Sequence, residues 1–368
     1  MGARGVSEGK GGGSPIGRRV RTWRTQRGIS RDHLADLLGV DPADLSALEE
    51  GRGWWDRRGL VHRAAAVLRV GVEELTGQPY LDVAGADAAE VRGCVVAVRR
   101  ALMVRYLSAG SDGGRKAAAG RDVVHAAELG DDLALARGAA GVVAALRCPG
   151  GDGQSGQVVA GWLRRWGYGD LAWSVLQRAR ACAGASPGLV AEEVRVLLDG
   201  GAPDRALERA GYPGEVDAVT GPVMGVALAV LGQFSEAERV LAAAVGAAES
   251  VGERAGVEVA RAVAALEAGR PELALECCAR LPGADEWGAG LWAEALVVGA
   301  LAEARFGDVP AAVRSLAGAA GAAPLRTLVD PWARELLSAL AGSAPGEDGV
   351  VLRAFAARAG VLSGSGCG

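Results

Sequence analysis

The sequence is poor in the residue types on which most catalytic and metal sites depend. Its 368 residues include three histidines, six cysteines and two lysines, and aromatic residues make up only 4%. The histidines lie far apart, and no two cysteines are spaced as CxxC. Zinc sites need such spacing and disulfide frameworks belong to oxidising compartments, so we expect reduced thiols and no metal. With so few aromatic residues, the cores must be built from Leu, Val and Ala.

Motifs for catalysis, cofactor binding and membrane targeting are also missing. No GxSxG or GxxxxGK[ST] occurs, and the glycine-rich run at 113–120 has no Ser or Thr after Lys116. The first residues lack the apolar segment of a signal peptide, and no apolar run approaches the roughly 18 residues of a membrane span. We therefore expect a cytoplasmic protein that is not an enzyme, needs no cofactor and has no membrane partner.

Charge is distributed unevenly along the chain. The formal net charge is −4, but residues 1–80 hold thirteen basic and ten acidic side chains. The rest of the chain holds 27 basic and 34 acidic side chains. A basic first part on an acidic remainder favours contact with phosphates at one end of the molecule.

Residues 15–80 have the local signals of several short helices. Two short helices meet at Leu38, Gly39 and Val40, where glycine permits a tight turn. Asp41 can cap the next helix, which we predict to run from Pro42 to Glu50. Two helices joined by so short a turn are typical of a helix-turn-helix unit, and the second would be its recognition helix.

Twelve positions in the stretch 16–80 carry a resemblance to a known family: Ser30, Leu34, Ala35, Gly39, Val40, Leu45, Ser46, Glu49, Gly51, Ala65, Leu68 and Val70. With these residues the stretch resembles the XRE-type helix-turn-helix family of the phage-repressor lineage. This resemblance implies a five-helix, lambda-repressor-like domain that binds double-stranded DNA. It also implies an ion pair between Arg24 and Glu49 that joins the first and third helices.

The recognition helix itself departs from that family, in which long polar side chains reach the bases. Its candidate DNA-facing residues here are Pro42, Ala43, Asp44 and Ala47. Asp44 can accept a hydrogen bond from cytosine N4, and the alanines can contact a thymine methyl group. Since none of them can make a bidentate contact to a purine, we expect little direct reading of bases. A head that keeps the fold but has lost DNA binding is the alternative.

Contacts to phosphates are better supplied. The candidates are Arg31 at a helix start, Ser46 on the recognition helix, and Arg52, Arg57 and Arg58 in the loop that follows. Such contacts position a protein on DNA without specifying sequence. The arginines could instead form a solvated face, above all Arg57 and Arg58, which follow Asp56.

From about residue 157 onward an internal period indicates paired helices. Glycines at 169, 201, 232, 269 and 307 are spaced by 32, 31, 37 and 38 residues. An alanine follows four of them after five residues, at 206, 237, 274 and 312. The TPR unit has about 34 residues, with a turn glycine and a small residue where its helices cross. We therefore predict a TPR-like α-solenoid, with simple all-α packing as the alternative.

Four aromatic residues cluster at the start of this region: Trp162, Trp166, Tyr168 and Trp173. They could line a pocket for a peptide or small ligand, or form the core of the first repeat.

The sequence thus predicts an all-α protein with a flexible tail (1–14), a DNA-binding head (15–80), a helical linker region with mobile loops (81–156), a TPR-like body (157–361) and a second tail (362–368). The chain as a whole resembles XRE-type regulators with a TPR-like body from high-GC bacteria, a match supported by GQPY at 77–80 and GDLAW at 169–173. We expect a nucleoid-associated transcriptional regulator, a homodimer whose body pairs subunits or senses a peptide, small molecule or protein. The alternative is a protein-interaction or peptide-sensing protein with a vestigial head.

Overall fold

The computed structural model of the chain describes residues 14–103, 113–146, 152–283, 286–342 and 344–361. These residues form helices and connecting turns, with no strand among them. No helix within these ranges is both long and apolar enough to cross a membrane. The predicted tails fall almost wholly outside the described residues. The exception is Ser14, which is buried at the start of the first helix rather than part of a tail.

The head consists of five short helices around an aliphatic core. Its core residues include Leu34, Leu45, Leu60 and Leu68, together with Trp55, whose indole donates a hydrogen bond to the Leu48 carbonyl over 3.2 Å. The helices are α1 (Pro15–Gln26), α2 (Arg31–Leu38), α3 (Pro42–Glu50), α4 (Arg58–Leu68) and α5 (Val72–Thr76).

Three helices then connect the head to the repeats: α6 (Ala86–Met103), α7 (Gly113–Glu128) and α8 (Asp132–Ala145). Their buried residues, among them Val91, Val98 and Leu135, belong to the same core as the repeats. The region that we predicted as a linker is therefore packed as part of the body. The mobile loops expected in this region include residues 108–120; of these, 113–120 begin α7, whereas 104–112 lie outside the described residues.

The body continues as five helical hairpins, in which the first helix of each hairpin packs on the first helix of the next. The turns have positive φ at Gly167, Gly201, Gly232, Gly269 and Gly307, as a left-handed turn residue requires. The hairpins are α9 (Gly153–Arg165) with α10 (Gly169–Ala183), α11 (Pro187–Asp199) with α12 (Pro203–Ala210), α13 (Gly221–Val230) with α14 (Phe234–Ala247), α15 (Val251–Glu267) with α16 (Pro271–Ala279), and α17 (Ala289–Phe306) with α18 (Val309–Ala322).

The predicted repeat register holds for four of the five hairpins. Ala206, Ala237, Ala274 and Ala312 are buried, five residues after the turn glycines. In the first hairpin the prediction was wrong by two residues, because Gly167 makes the turn and Gly169 opens α10. Three helices end the body: α19 (Pro324–Leu328), α20 (Pro331–Leu340) and α21 (Gly346–Arg358). The body is a TPR-like α-solenoid that carries the head.

Candidate nucleic-acid interface

The helix-turn-helix unit is built from local capping interactions. The Ser30 hydroxyl accepts a hydrogen bond from the His33 amide at the start of α2, and Gly39 ends this helix at φ 67°. Asp41 then accepts from the Ala43 amide over 2.8 Å and starts α3. Leu45 and Leu48 turn into the head core, and this orientation leaves Pro42, Ala43 and Asp44 exposed. Ala47 is partly exposed, one turn further along.

Arg24 and Glu49 lie together, as the resemblance implied. Arg24 Nε is 2.6 Å from Glu49 Oε1, and Arg24 Nη2 is 2.9 Å from Glu49 Oε2. The carboxylate is fully buried, and Arg24 also donates to the Ile29 carbonyl. The hydrogen bond to Glu49 raises the pKa of Arg24, so the guanidinium stays charged. This bidentate pair fixes α3 against α1 and thereby sets the direction in which the recognition helix points.

Three of the predicted phosphate-binding side chains gather at the C-terminal end of α3. Ser46 donates to Glu50 Oε1 over 3.0 Å, and Arg52 Nε donates to Glu50 Oε2 over 3.2 Å. Arg31 lies near both acids, with Nε 3.3 Å from Glu49 Oε2 and Nη2 3.9 Å from Glu50 Oε1. The hydrogen bond from Arg52, followed by that from Ser46, lowers the pKa of Glu50. The C-terminal end of α3, which we call the edge of α3, therefore carries two arginines together with the carboxylate of Glu50.

Arg58 is placed differently from the prediction, because it lies at the contact between head and body. The Arg58 amide donates to Glu267 Oε1 over 2.5 Å, and its guanidinium carbon lies 5.7 Å from the centre of the Trp332 ring. Arg57 Nε is buried. Neighbouring Asp56 is 3.0 Å from Arg305 Nε of the body. Arg58 therefore contacts the body, whereas Arg31 and Arg52 lie at the C-terminal end of α3.

Two buried glutamates of the body cap helices of the head; we call Glu267 and Glu335 the clasp glutamates. Glu335 accepts from the Ile16 amide and the Ser14 hydroxyl, each over 2.6 Å, at the start of α1. Glu267 accepts from the amides of Arg58 and Gly59 at the start of α4. Burial raises the pKa of each to about 7. A helix start has free amides and a partial positive charge, so each carboxylate satisfies donors that the head leaves open.

The clasp is part of a wider contact along the turns of the hairpins. A Cβ added at Gly59 would lie 2.6 Å from the Val230 carbonyl oxygen, at the end of α13. A Cβ at Gly201 would lie 2.8 Å from Val72 of the head, and one at Gly167 would lie 2.6 Å from Gln78. The head thus rests on the edge of the solenoid where the first helices of the hairpins end. Because helix C-termini carry partial negative charge, this edge suits the basic start of α4.

Sequence reasoning missed the clasp glutamates, although each had a local signal. Glu267 is the last residue of α15, where an acid opposes the helix dipole, so its position needs a partner outside its own helix. Glu335 lies in the apolar run of α20 and is buried. A buried carboxylate needs hydrogen-bond donors, but nothing in the sequence identifies the head as their source.

The predicted aromatic pocket is not formed as a unit. Trp162 and Trp166 are buried in the body core, and the Trp166 indole donates to Asp132 over 3.1 Å. Tyr168 is partly exposed beside that core. Trp173 lines an open cleft of about 420 Å³, together with Gln177, Arg180, Leu197, Arg205, Glu208 and Arg209. Trp162 and Trp166 therefore act in packing, and Trp173 is the member of the predicted set that lines this cleft.

Comparison with known proteins supports the reading of the head. Residues 15–76 match a family model described as a helix-turn-helix domain. No curated protein matches the chain. The crystal structure of Bacillus thuringiensis PlcR in complex with the peptide PapR7 and DNA aligns with 85% of this chain and 95% of that chain. The sequence identity is 11% and the TM-score is 0.30, so this likeness carries no argument about function.

Proposed function

We propose that this chain is a DNA-binding transcriptional regulator whose head places α3 in the major groove of duplex DNA. The observation that carries the proposal is the exposed start of α3, with Arg31 and Arg52 at the other end of the helix, within a segment that matches a helix-turn-helix domain. The contacts that hold the head on the body come from residues 14–16 and 56–80. None of these contacts involves a residue of α3.

In this proposal, contacts to DNA phosphates supply most of the affinity, and a few contacts to bases supply the specificity. Arg31, Ser46 and Arg52 are assigned to the DNA backbone, to which basic and hydroxyl side chains bind without reading sequence. Asp44 is assigned to a cytosine amino group, and Ala43 and Ala47 to thymine methyl groups. Pro42 stabilises the first turn of the helix that carries them. As in the XRE-type regulators that the chain resembles, the body would then govern when the head binds.

Arg31→Ala and Arg52→Ala should each weaken binding to duplexes of any sequence. The wild-type chain should bind a random duplex at low salt, with an affinity that falls steeply as salt rises. Each substitution should lower the slope of log K against log salt by about one, because one phosphate contact is lost. Fluorescence anisotropy at several salt concentrations measures both quantities. Loss of binding to a single preferred sequence, with random duplexes unaffected, would contradict the phosphate assignment.

The body is proposed to pair two chains on a two-part DNA site. One head with so few base-reading side chains contacts too little DNA to select a site in a genome. A two-fold dimer would place its heads on half-sites roughly 34 Å apart, one helical turn. Sedimentation with a duplex that carries two selected half-sites should give two chains per duplex. If one chain binds each duplex with undiminished affinity, the body does not pair chains and its role is sensing alone.

A peptide or small-molecule signal would then bind in the cleft that Trp173 lines.

A second candidate function is a protein-interaction protein with a vestigial head. The observation that favours it is the internal pairing of Arg52 and Ser46 with Glu50, which occupies side chains needed for phosphates. On this reading the random duplex shows no binding even at low salt. The anisotropy experiment separates the two functions.

A further inference from the structure

The carboxylate of Glu50 occupies a place that a nucleic-acid phosphate would need. Glu50 is the last residue of α3, and its side chain is 38% exposed. One oxygen accepts from the Ser46 hydroxyl and the other accepts from the Arg52 guanidinium. Arg31 adds a second guanidinium 3.9 Å away. The Glu50 carboxylate therefore has two cationic neighbours and a hydroxyl donor, although an exposed carboxylate can be hydrated by water and does not need them.

This set of donors matches the chemistry of a phosphate subsite. Guanidinium groups bind a phosphate through charge-assisted hydrogen bonds, and a hydroxyl adds a further donor. The proposed function assigns the same three side chains, Arg31, Ser46 and Arg52, to the DNA backbone. The N–H and O–H groups that hold the carboxylate cannot bind a phosphate at the same time, and two anions beside one cation repel each other. DNA bound through these same groups would therefore displace Glu50.

The neighbouring acid, Glu49, has a different role. It is fully buried and held by the bidentate contact with Arg24, so it is committed to the structure of the head. Glu50 makes its contacts at the surface, where an ion pair contributes little to stability. Its pairing with Arg52 thus does little for the fold.

We propose that Glu50 is an internal competitor of DNA phosphate that sets the affinity of the head. The inference rests on the proposed function and deepens it. In free protein, Glu50 holds Arg52 and Ser46 in place and neutralises the edge of α3. On DNA, a phosphate replaces the carboxylate, and Glu50 is left as an unpaired anion beside the backbone. The carboxylate then opposes binding twice, by competing for the donors and by repelling the phosphate.

Glu50→Gln tests the proposal, since it keeps the shape and an oxygen acceptor but removes the charge. Glu74→Gln is the matched control, because Glu74 is an exposed glutamate of α5 and gives the same change in net charge. Anisotropy with a random duplex at low salt should show tighter binding by about two- to fivefold for Glu50→Gln and little change for Glu74→Gln. The slope of log K against log salt should also steepen for Glu50→Gln, by up to about one.

A double substitution identifies the partner through which Glu50 acts. In an Arg52→Ala background, Glu50→Gln should gain clearly less affinity, because the donor released by the change is gone. An equal gain with and without Arg52 would overturn the proposal, as would a gain no larger than that of Glu74→Gln. If wild type binds the duplex and Glu50→Gln brings no gain, only this inference fails. If neither wild type nor Glu50→Gln binds at low salt, the proposed function fails as well.

Discussion

Replacing Glu49 by glutamine should lower the free energy of unfolding of the head by about 3–5 kcal/mol. The substitution removes the negative partner of a buried pair and leaves the Arg24 guanidinium, only 12% exposed, without its counter-charge. Arg31, which also reaches Glu49 Oε2, loses an acceptor as well. Because the pair joins α1 to α3, we expect the recognition helix to lose its fixed direction and DNA binding to fall with stability.

Urea denaturation of the full chain, followed by circular dichroism, measures this effect. Hydrogen exchange in α1 and α3 shows whether the loss is local to the head. Glu74→Gln, which removes an exposed charge from the same head, should change stability by no more than about 0.5 kcal/mol. A Glu49→Gln variant as stable as wild type would mean that the pair contributes nothing to the fold.

Substituting alanine for either clasp glutamate should release one side of the head from the body. Glu335→Ala leaves the Ile16 amide and the Ser14 hydroxyl without their acceptor, and Glu267→Ala does the same to the amides of Arg58 and Gly59. Each buried donor left without a partner costs about 1–3 kcal/mol. We therefore expect each variant to lose about 2–6 kcal/mol, less where water can enter. Glu276→Ala, at an exposed glutamate of α16, is the control.

The loss of stability in these variants should be local to the helix start that each glutamate caps. Hydrogen exchange should accelerate at residues 14–18 for Glu335→Ala and at 57–61 for Glu267→Ala, while the second helices of the hairpins stay protected. Acceleration spread evenly over the body would contradict a role in docking the head.

Stability should also depend on pH through the clasp glutamates. Burial raises the pKa of each to about 7, above the ordinary value of 4.5 for glutamate. The folded chain therefore holds these protons more tightly than the unfolded chain does. Their contribution is complete below about pH 4.5 and is lost as pH rises through about 7. Melting temperature should fall between pH 5 and pH 8, and Glu267→Gln with Glu335→Gln should weaken that dependence. A wild-type melting temperature that rises over this range would refute the assignment.

Features encoded over a few residues could be predicted from the sequence, whereas contacts between distant segments could not. The cap at Asp41 and the turn at Gly39 act within one or two turns of helix, so the sequence displays them directly. The repeat also depends on local chemistry, a turn glycine and a small residue five positions later. The two-residue error in the first hairpin arose because two glycines, Gly167 and Gly169, lie on either side of Tyr168. The repeat period alone does not show which of them makes the turn.

Arg58 shows the limit of such reasoning. A positive charge just after the recognition helix is typical of a phosphate ligand, and only the partners of Arg58 on the body assign it another role. Those partners, Glu267 and Trp332, lie more than 200 residues away in the chain. The same holds for Trp162 and Trp166, whose burial depends on helices that pack around them. In each case the fold determines which of two chemically reasonable roles the side chain takes.

Hydrogen exchange of the full chain, with and without a duplex at low salt, tests the central claim most directly. If the head binds DNA through α3 while it stays docked on the body, amides in 30–52 should exchange more slowly with the duplex present. Those at 57–61, which face the clasp, and those of the hairpins should be unchanged. Protection confined to the body, or none at a duplex concentration that saturates binding, would show that this face of the head does not bind DNA.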